Sequence, residues 1–256
     1  MDSKHTDGLQ RVSEIQKVIG DIHPFLEELF PVAVAKGGRL LIYDVGDEAN
    51  RYAFVTDSAV PMPIPQGVRA AFPLECYNNR MACVVTDEIF NEPDGVVTIF
   101  HEFIHCRQAE VCEYAIKAKL TVAREAEANG DSMWEINHPF RYKSPDFERL
   151  YEAMLSEGTL RGIERIHREL KGVLPHRDYE YLVWQEWKEG VARFIENRIR
   201  RRLGFTENHN GRRRPFGRTV FYAGGAHYLQ KLEAHNTSLS TNIERLFPRM
   251  FEGSGV

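Results

Sequence analysis

The sequence predicts an α+β fold, with a small mixed β-sheet region in front of a mostly helical C-terminal half. Three observations predict it. Short β-branched or aromatic runs (RLLIYDV, RYAFVT, RMACVVTDEIF) are confined to the first third of the chain. From Pro93 onward the apolar residues recur at helical spacing. The 256 residues, 43% hydrophobic and 27% charged with a net charge of −4, suit a soluble globular protein of one large domain or two small intimate ones, long enough to bury a core without disulfides or structural metal. The expectation is a single domain over 1–256, with a mixed α/β sub-region over 1–92 and a helical one over 93–256.

LQRVSEIQKVIGDIHPFLEELF has helical spacing interrupted at Pro24, so one or two amphipathic helices are expected. RLLIYDV and RYAFVT flank the turn-like GDEAN and are expected to pair. AVPMPIPQG is proline-rich and extended, and RMACVVTDEIF is a further strand. PDGVVTIFHEFIHCRQAEVCEYAIKAKLTVAREAEANGD contains no turn signal and reads as one continuous helix. Val97, Ile104 and Val111, seven residues apart, mark its apolar stripe. SPDFERLYEAMLSEG opens with a Ser cap and a Pro at the first helical position. Further helices are expected over 159–171, DYEYLVWQEWKEGVARFIENRIRRRLGF, RTVFYAGGAHYLQKLEAH and STNIERLFPRM.

The four cysteines form no CxxC pair and read as reduced, small apolar residues, which suits a cytoplasmic protein. The first thirty residues have no long apolar run or small-residue cleavage site, and no segment is long enough to span a bilayer. Neither a secretory signal nor a membrane partner is expected.

The chemistry concentrates in FHEFIHCRQ. His101 and His105, four apart on a helix, share a face and can point at one ion. Glu102 is rotated by one residue, which places it beside such an ion as a base rather than a ligand. The competing reading is a helix face with two solvated histidines. An open catalytic Zn²⁺ site takes three protein ligands and keeps a position for water. A third histidine six residues after His105 is absent, since that position holds Val111, and the glycine that would accompany it is Gln108. Two carboxylates remain, Glu125 and Glu189. On a continuous helix Glu125 would lie about 30 Å from His105.

Glu189-Gly190-Val191-Ala192-Arg193-Phe194-Ile195-Glu196 resembles the E-G-x-A-x-[YF]-x-E pattern on the second ligand helix of the gluzincin metallopeptidases. Tyr222-Ala223-Gly224-Gly225-Ala226 is similar to the Y-x-[KG]-G-A helix start of some gluzincins. The resemblance covers three motifs between residues 101 and 226. It implies a zincin-like fold and a peptide or protein substrate. It further implies His101, His105 and Glu189 as Zn²⁺ ligands, Glu102 as general base, and Tyr222 as hydrogen-bond donor to the oxyanion. His227 and Tyr228 are alternative donors. Gly190 and Ala192 suit close packing against the first ligand helix, and the intervening segment of about 113–178 reads as an insertion. An extended substrate would pair with the strand MACVVTDEI.

Two departures stand out. Arg193 occupies a position where several gluzincins carry a carboxylate that orients a ligand histidine, which leaves Glu196, Glu186 or a backbone carbonyl for that task. The front third carries no exopeptidase signature.

RIRRRLGFTENHNGRRRPFGR places eight arginines between 198 and 218. They read as a solvated helix end and loop, because no stacking aromatics interleave with them as a single-strand nucleic-acid binder would require. A loop bordering the site and selecting acidic substrates is a middle option. The rival to an enzyme is a non-catalytic scaffold or an arginine-patch protein binding nucleic acid or an acidic partner.

Overall fold

A computed structural model describes residues 3–46, 50–60, 62–235 and 240–253; residues 47–49 of the GDEAN turn and Pro61 lie outside them. The architecture is mixed α+β, with one five-stranded sheet and a helical remainder. The chain forms two compact units, one of residues 1–110 with 195–207, the other of 111–194 with 208–256.

In the first unit, α1 (Ser3–Ile19) ends in short 3₁₀ turns, the second starting at Pro24. The strands are β1 (Val32–Lys36), β2 (Arg39–Val45), β3 (Tyr52–Ala59), β4 (Arg69–Leu74) and β5 (Arg80–Thr86), in the order β3-β2-β1-β5-β4. Gly37 and Gly38 join β1 to β2 at φ 57° and 76°, the positive values a two-residue hairpin requires. β1 pairs in parallel with β5, and every other pairing is antiparallel. The central strands are buried on both faces and read as near-continuous apolar runs, VAVA and MACVV. Pro73 fits β4 because an edge strand tolerates a missing donor.

Two strands escape the sequence reading: β1, which is short and alanine-rich, and β4, which proline interrupts. Their positions correct another expectation. With β1 on one side and β4 on the other, β5 has no open edge, so MACVVTDEI has no room for a substrate strand. The open edge on that side is β4. The helix α2 (Gly95–Gln108) packs against β4 and β5 and so takes its placement from the sheet.

The continuous helix from Pro93 does not exist. After α2 the chain makes a π-helical turn over Ala109–Glu113, then α3 (Tyr114–Lys117), a break, and α4 (Thr121–Ala128). The wider π turn shifts the register, and Val111 leaves the apolar stripe to become 39% exposed. Leu120 is extended and α4 starts afresh, its Val122 N–H donating to the Glu180 carboxylate at 2.9 Å. The break has no local turn signal because its cap comes from a distant residue.

The second unit continues with α5 (Trp134–Asn137), α6 (Pro145–Ser156) and α7 (Leu160–Val173). The 27-residue α8 (His176–Arg202) runs through both units. It is followed by α9 (Thr219–Glu233) and α10 (Ile243–Glu252). Ser144 sits at the cap of α6 with Pro145 behind it, although its side chain makes no capping hydrogen bond. Trp134 and Phe140, from the inserted segment, are buried against Tyr181, and Phe140 also meets Phe147 and Phe221. No helix among the described residues is long and apolar enough to cross a membrane.

Candidate metal centre

His101 and His105 lie one turn apart on α2, both buried, with Glu102 buried between them. Their outer nitrogens are each held. Glu196 Oε2 lies 3.0 Å from His101 Nδ1, and Gln108 Oε1 lies 2.8 Å from His105 Nδ1. A carboxylate has only acceptors to offer, so the His101 proton belongs on Nδ1, and the Gln108 oxygen places the His105 proton likewise. The two Nε2 atoms then lie toward each other, 3.2 Å apart. A tetrahedral ion with Zn–N near 2.0–2.1 Å would hold two nitrogens about 3.3–3.4 Å apart. The donor set fits a metal.

Glu189, on α8, offers a third candidate ligand atom. It is buried, and ligand atoms of His101, His105 and Glu189 all lie within 4.8 Å of one another. This buried group could hold a metal ion. Seven residues on, two turns along the same helix, stands Glu196, so α8 offers both a ligand and the carboxylate that orients another ligand.

Glu196 is tied down in turn. Arg200, one turn further along α8, donates to Glu196 Oε1 at 2.9 Å and also to Asp94, the residue at the cap of α2. Glu186, the other carboxylate expected to orient a histidine, faces elsewhere. It accepts from the Tyr151 hydroxyl at 2.5 Å and lies 3.1 Å from His167 Nε2. Gln108, which stands where a histidine-rich zinc motif would carry glycine, reaches His105 from three residues along the same helix, and that spacing is the signal that reveals it.

Glu125 takes no part in the ligand group. It lies on the outer side of α4, ion-paired to Arg177. The continuous-helix objection to it does not apply, since the helix is broken; its exposure and its pairing are what set it apart.

Gly190 makes the close approach expected of it, but toward α9. The atoms nearest a Cβ at Gly190 are those of Gly225 and Ala226, the closest at 2.5 Å, and a Cβ at Gly225 would sit 2.0 Å from the Glu186 carbonyl oxygen. Gly225 of YAGGA and Gly190 of EGVA thus form one backbone-to-backbone contact, which packs the helix carrying Tyr222 onto the helix carrying Glu189.

Tyr222 lies in a cationic frame. The guanidinium carbons of Arg193 and Arg218 are each 5.3 Å from its ring centroid. Arg193 Nη1 also donates to the carbonyls of Asn208 and Asn210, which fastens the loop before α9. Arg218 Nη1 donates to Glu189 Oε1 at 3.3 Å and Gln185 Oε1 at 3.4 Å. Burial disfavours the Arg218 charge, but Tyr222 and Glu189 outweigh it and raise the pKa. Each member of the ligand group therefore has an outer partner: Glu196 for His101, Gln108 for His105 and Arg218 for Glu189.

The alternative donors are occupied. His227 Nε2 is 2.8 Å from the Glu157 carbonyl oxygen, and burial lowers its pKa. The Tyr228 hydroxyl points to Glu164. Most of the arginine stretch is also engaged: Arg200, Arg201, Arg202, Arg214 and Arg218 pair with carboxylates. No protein-family model, curated protein or solved structure matches this chain.

Proposed function

We propose that this chain is a zinc-dependent peptidase of gluzincin type with a zincin-like fold. The observation that carries the reading is the grouping of His101, His105 and Glu189, whose ligand atoms all lie within 4.8 Å of one another, with a buried carboxylate, Glu102, between the two histidines on the same helix. A bound Zn²⁺ would act there as a Lewis acid and lower the pKa of a water. Glu102 takes the proton from the attacking water and delivers it to the leaving amine. Tyr222 donates a hydrogen bond to the oxyanion as it forms. Glu196, Gln108 and Arg218 hold the three ligands in one orientation. The open edge of β4 supports binding of an extended peptide by strand addition.

The substrate is a peptide or protein rather than nucleic acid, a reading supported by the ion pairing that consumes most of the arginine stretch. The described cysteines are free, and three are buried, in keeping with the cytoplasm. The test is hydrolysis of a peptide library by protein stripped with a chelator and then titrated with zinc. Turnover that appears in step with one zinc per chain supports the proposal. Zinc uptake without hydrolysis of any peptide contradicts it.

A further inference from the structure

Arg218 is unevenly used. Its two hydrogen bonds, to Glu189 and Gln185, both come from Nη1 and are long, whereas Nε and Nη2 make no hydrogen bond among the described residues. A guanidinium presents five N–H donors in a planar fork matched to a carboxylate. The side chain is about one-third exposed (32%), and neither Nε nor Nη2 is sealed from solvent. Arg193 stands on the same tyrosine ring, so two guanidiniums flank Tyr222, and Arg218 is paired with Glu189.

We infer that Arg218 is the anchor for a substrate carboxylate, so that the favoured substrates are peptides carrying a negative charge close to the scissile bond. This rests on the peptidase reading and gives it a substrate class. The free Nε and Nη2 edge takes the carboxylate in a two-pronged hydrogen bond, and Arg193 adds to the field that draws it in. Two sources share this chemistry: a C-terminal carboxylate, or the side chain of Asp or Glu.

The experiment uses three N-acetylated pentapeptide libraries: one with free C-termini and no acidic side chains, one amidated and likewise neutral, and one amidated with a Glu at varied positions. Cleavage is followed by mass spectrometry for the zinc-loaded wild type, Arg218→Met and Arg218→Lys, with zinc content measured for each. Retention of the same libraries on immobilised Glu102→Gln protein, with and without Arg218→Met, is measured alongside.

The expected result is at least about tenfold faster cleavage of one carboxylate-bearing library than of the neutral one, the scale of one charge-assisted hydrogen bond. The library that shows it names the source. At saturating zinc, Arg218→Met removes the preference, and Arg218→Lys restores part of it. Equal cleavage of all libraries by the wild type, a preference that survives Arg218→Met, or loss of zinc from Arg218→Met as the whole effect would overturn the inference. If the wild type cleaves nothing, carboxylate-dependent retention that Arg218→Met removes would sustain the anchor and overturn the peptidase reading. Absence of both cleavage and retention overturns the two together.

Discussion

Glu196 Oε2 stands 3.0 Å from His101 Nδ1, and the two residues are 95 positions apart in the chain. The contact engages Nδ1 of His101 and turns Nε2 toward His105. Gln108 does the same for His105 from within its own helix. Outer partners of this kind raise metal affinity by about 10–100-fold. Glu196→Gln and Gln108→Leu are each expected to weaken zinc binding by that order, as read by competition with a chromogenic chelator. Affinities unchanged within about twofold would show that the histidines orient themselves.

Glu102 is expected to contribute to turnover and not to retention of the ion. Glu102→Gln preserves the size of the side chain but removes its ability to accept a proton. Zinc content stays at the wild-type level while peptide cleavage falls by about 10²–10⁴-fold, the usual weight of a general base. Full activity in this variant would remove Glu102 from the mechanism.

Gly225 permits the contact between α8 and α9. A methyl group there meets the Glu186 backbone at 2.0 Å, where neither partner is a flexible side-chain end. Gly225→Ala is expected to destabilise the fold by about 1–3 kcal/mol or more through forced separation of the helices. Chemical denaturation checks this, and a variant as stable as wild type would mean that the helices have slack.

The buried pair of His167 and Glu186 should give stability a pH signature. Burial pushes the His167 pKa down, but the Glu186 carboxylate and the Met250 carbonyl outweigh it, so folding raises the pKa above the ordinary 6.5. A group raised on folding contributes stability that is complete below its unfolded value and lost as pH rises through its folded value. The denaturation midpoint of wild type should therefore exceed that of His167→Gln most below pH 6.5, with the gap narrowing at higher pH. Breaking such a buried pair costs about 3–5 kcal/mol when one partner is simply removed, as in His167→Ala. A gap that widens with pH would contradict the assignment.

Local signals were readable where the chain settles its own structure. The spacing of His101 and His105 placed both on one helix face, and the small residues of EGVA announced a close helix contact, though not that its partner is α9. The long α8 and the pairing of β2 with β3 follow from periodicity and strand composition. What stayed hidden depends on partners distant in sequence. The break before α4 relies on Glu180, 58 positions from Val122, and the placement of Gly190 against α9 relies on Gly225. β1 and β4 are too short or proline-interrupted to declare themselves and exist because β5 lies between them. The ion pair of Arg218 with Glu189 had no signal in spacing at all.

The most direct measurement is zinc content of the purified protein beside Glu189→Ala and Glu125→Ala. One zinc per chain in the wild type and in Glu125→Ala, and a loss in Glu189→Ala, is the result predicted by a ligand group of His101, His105 and Glu189. Zinc retained by Glu189→Ala, or no zinc in the wild type even after reconstitution, would contradict it.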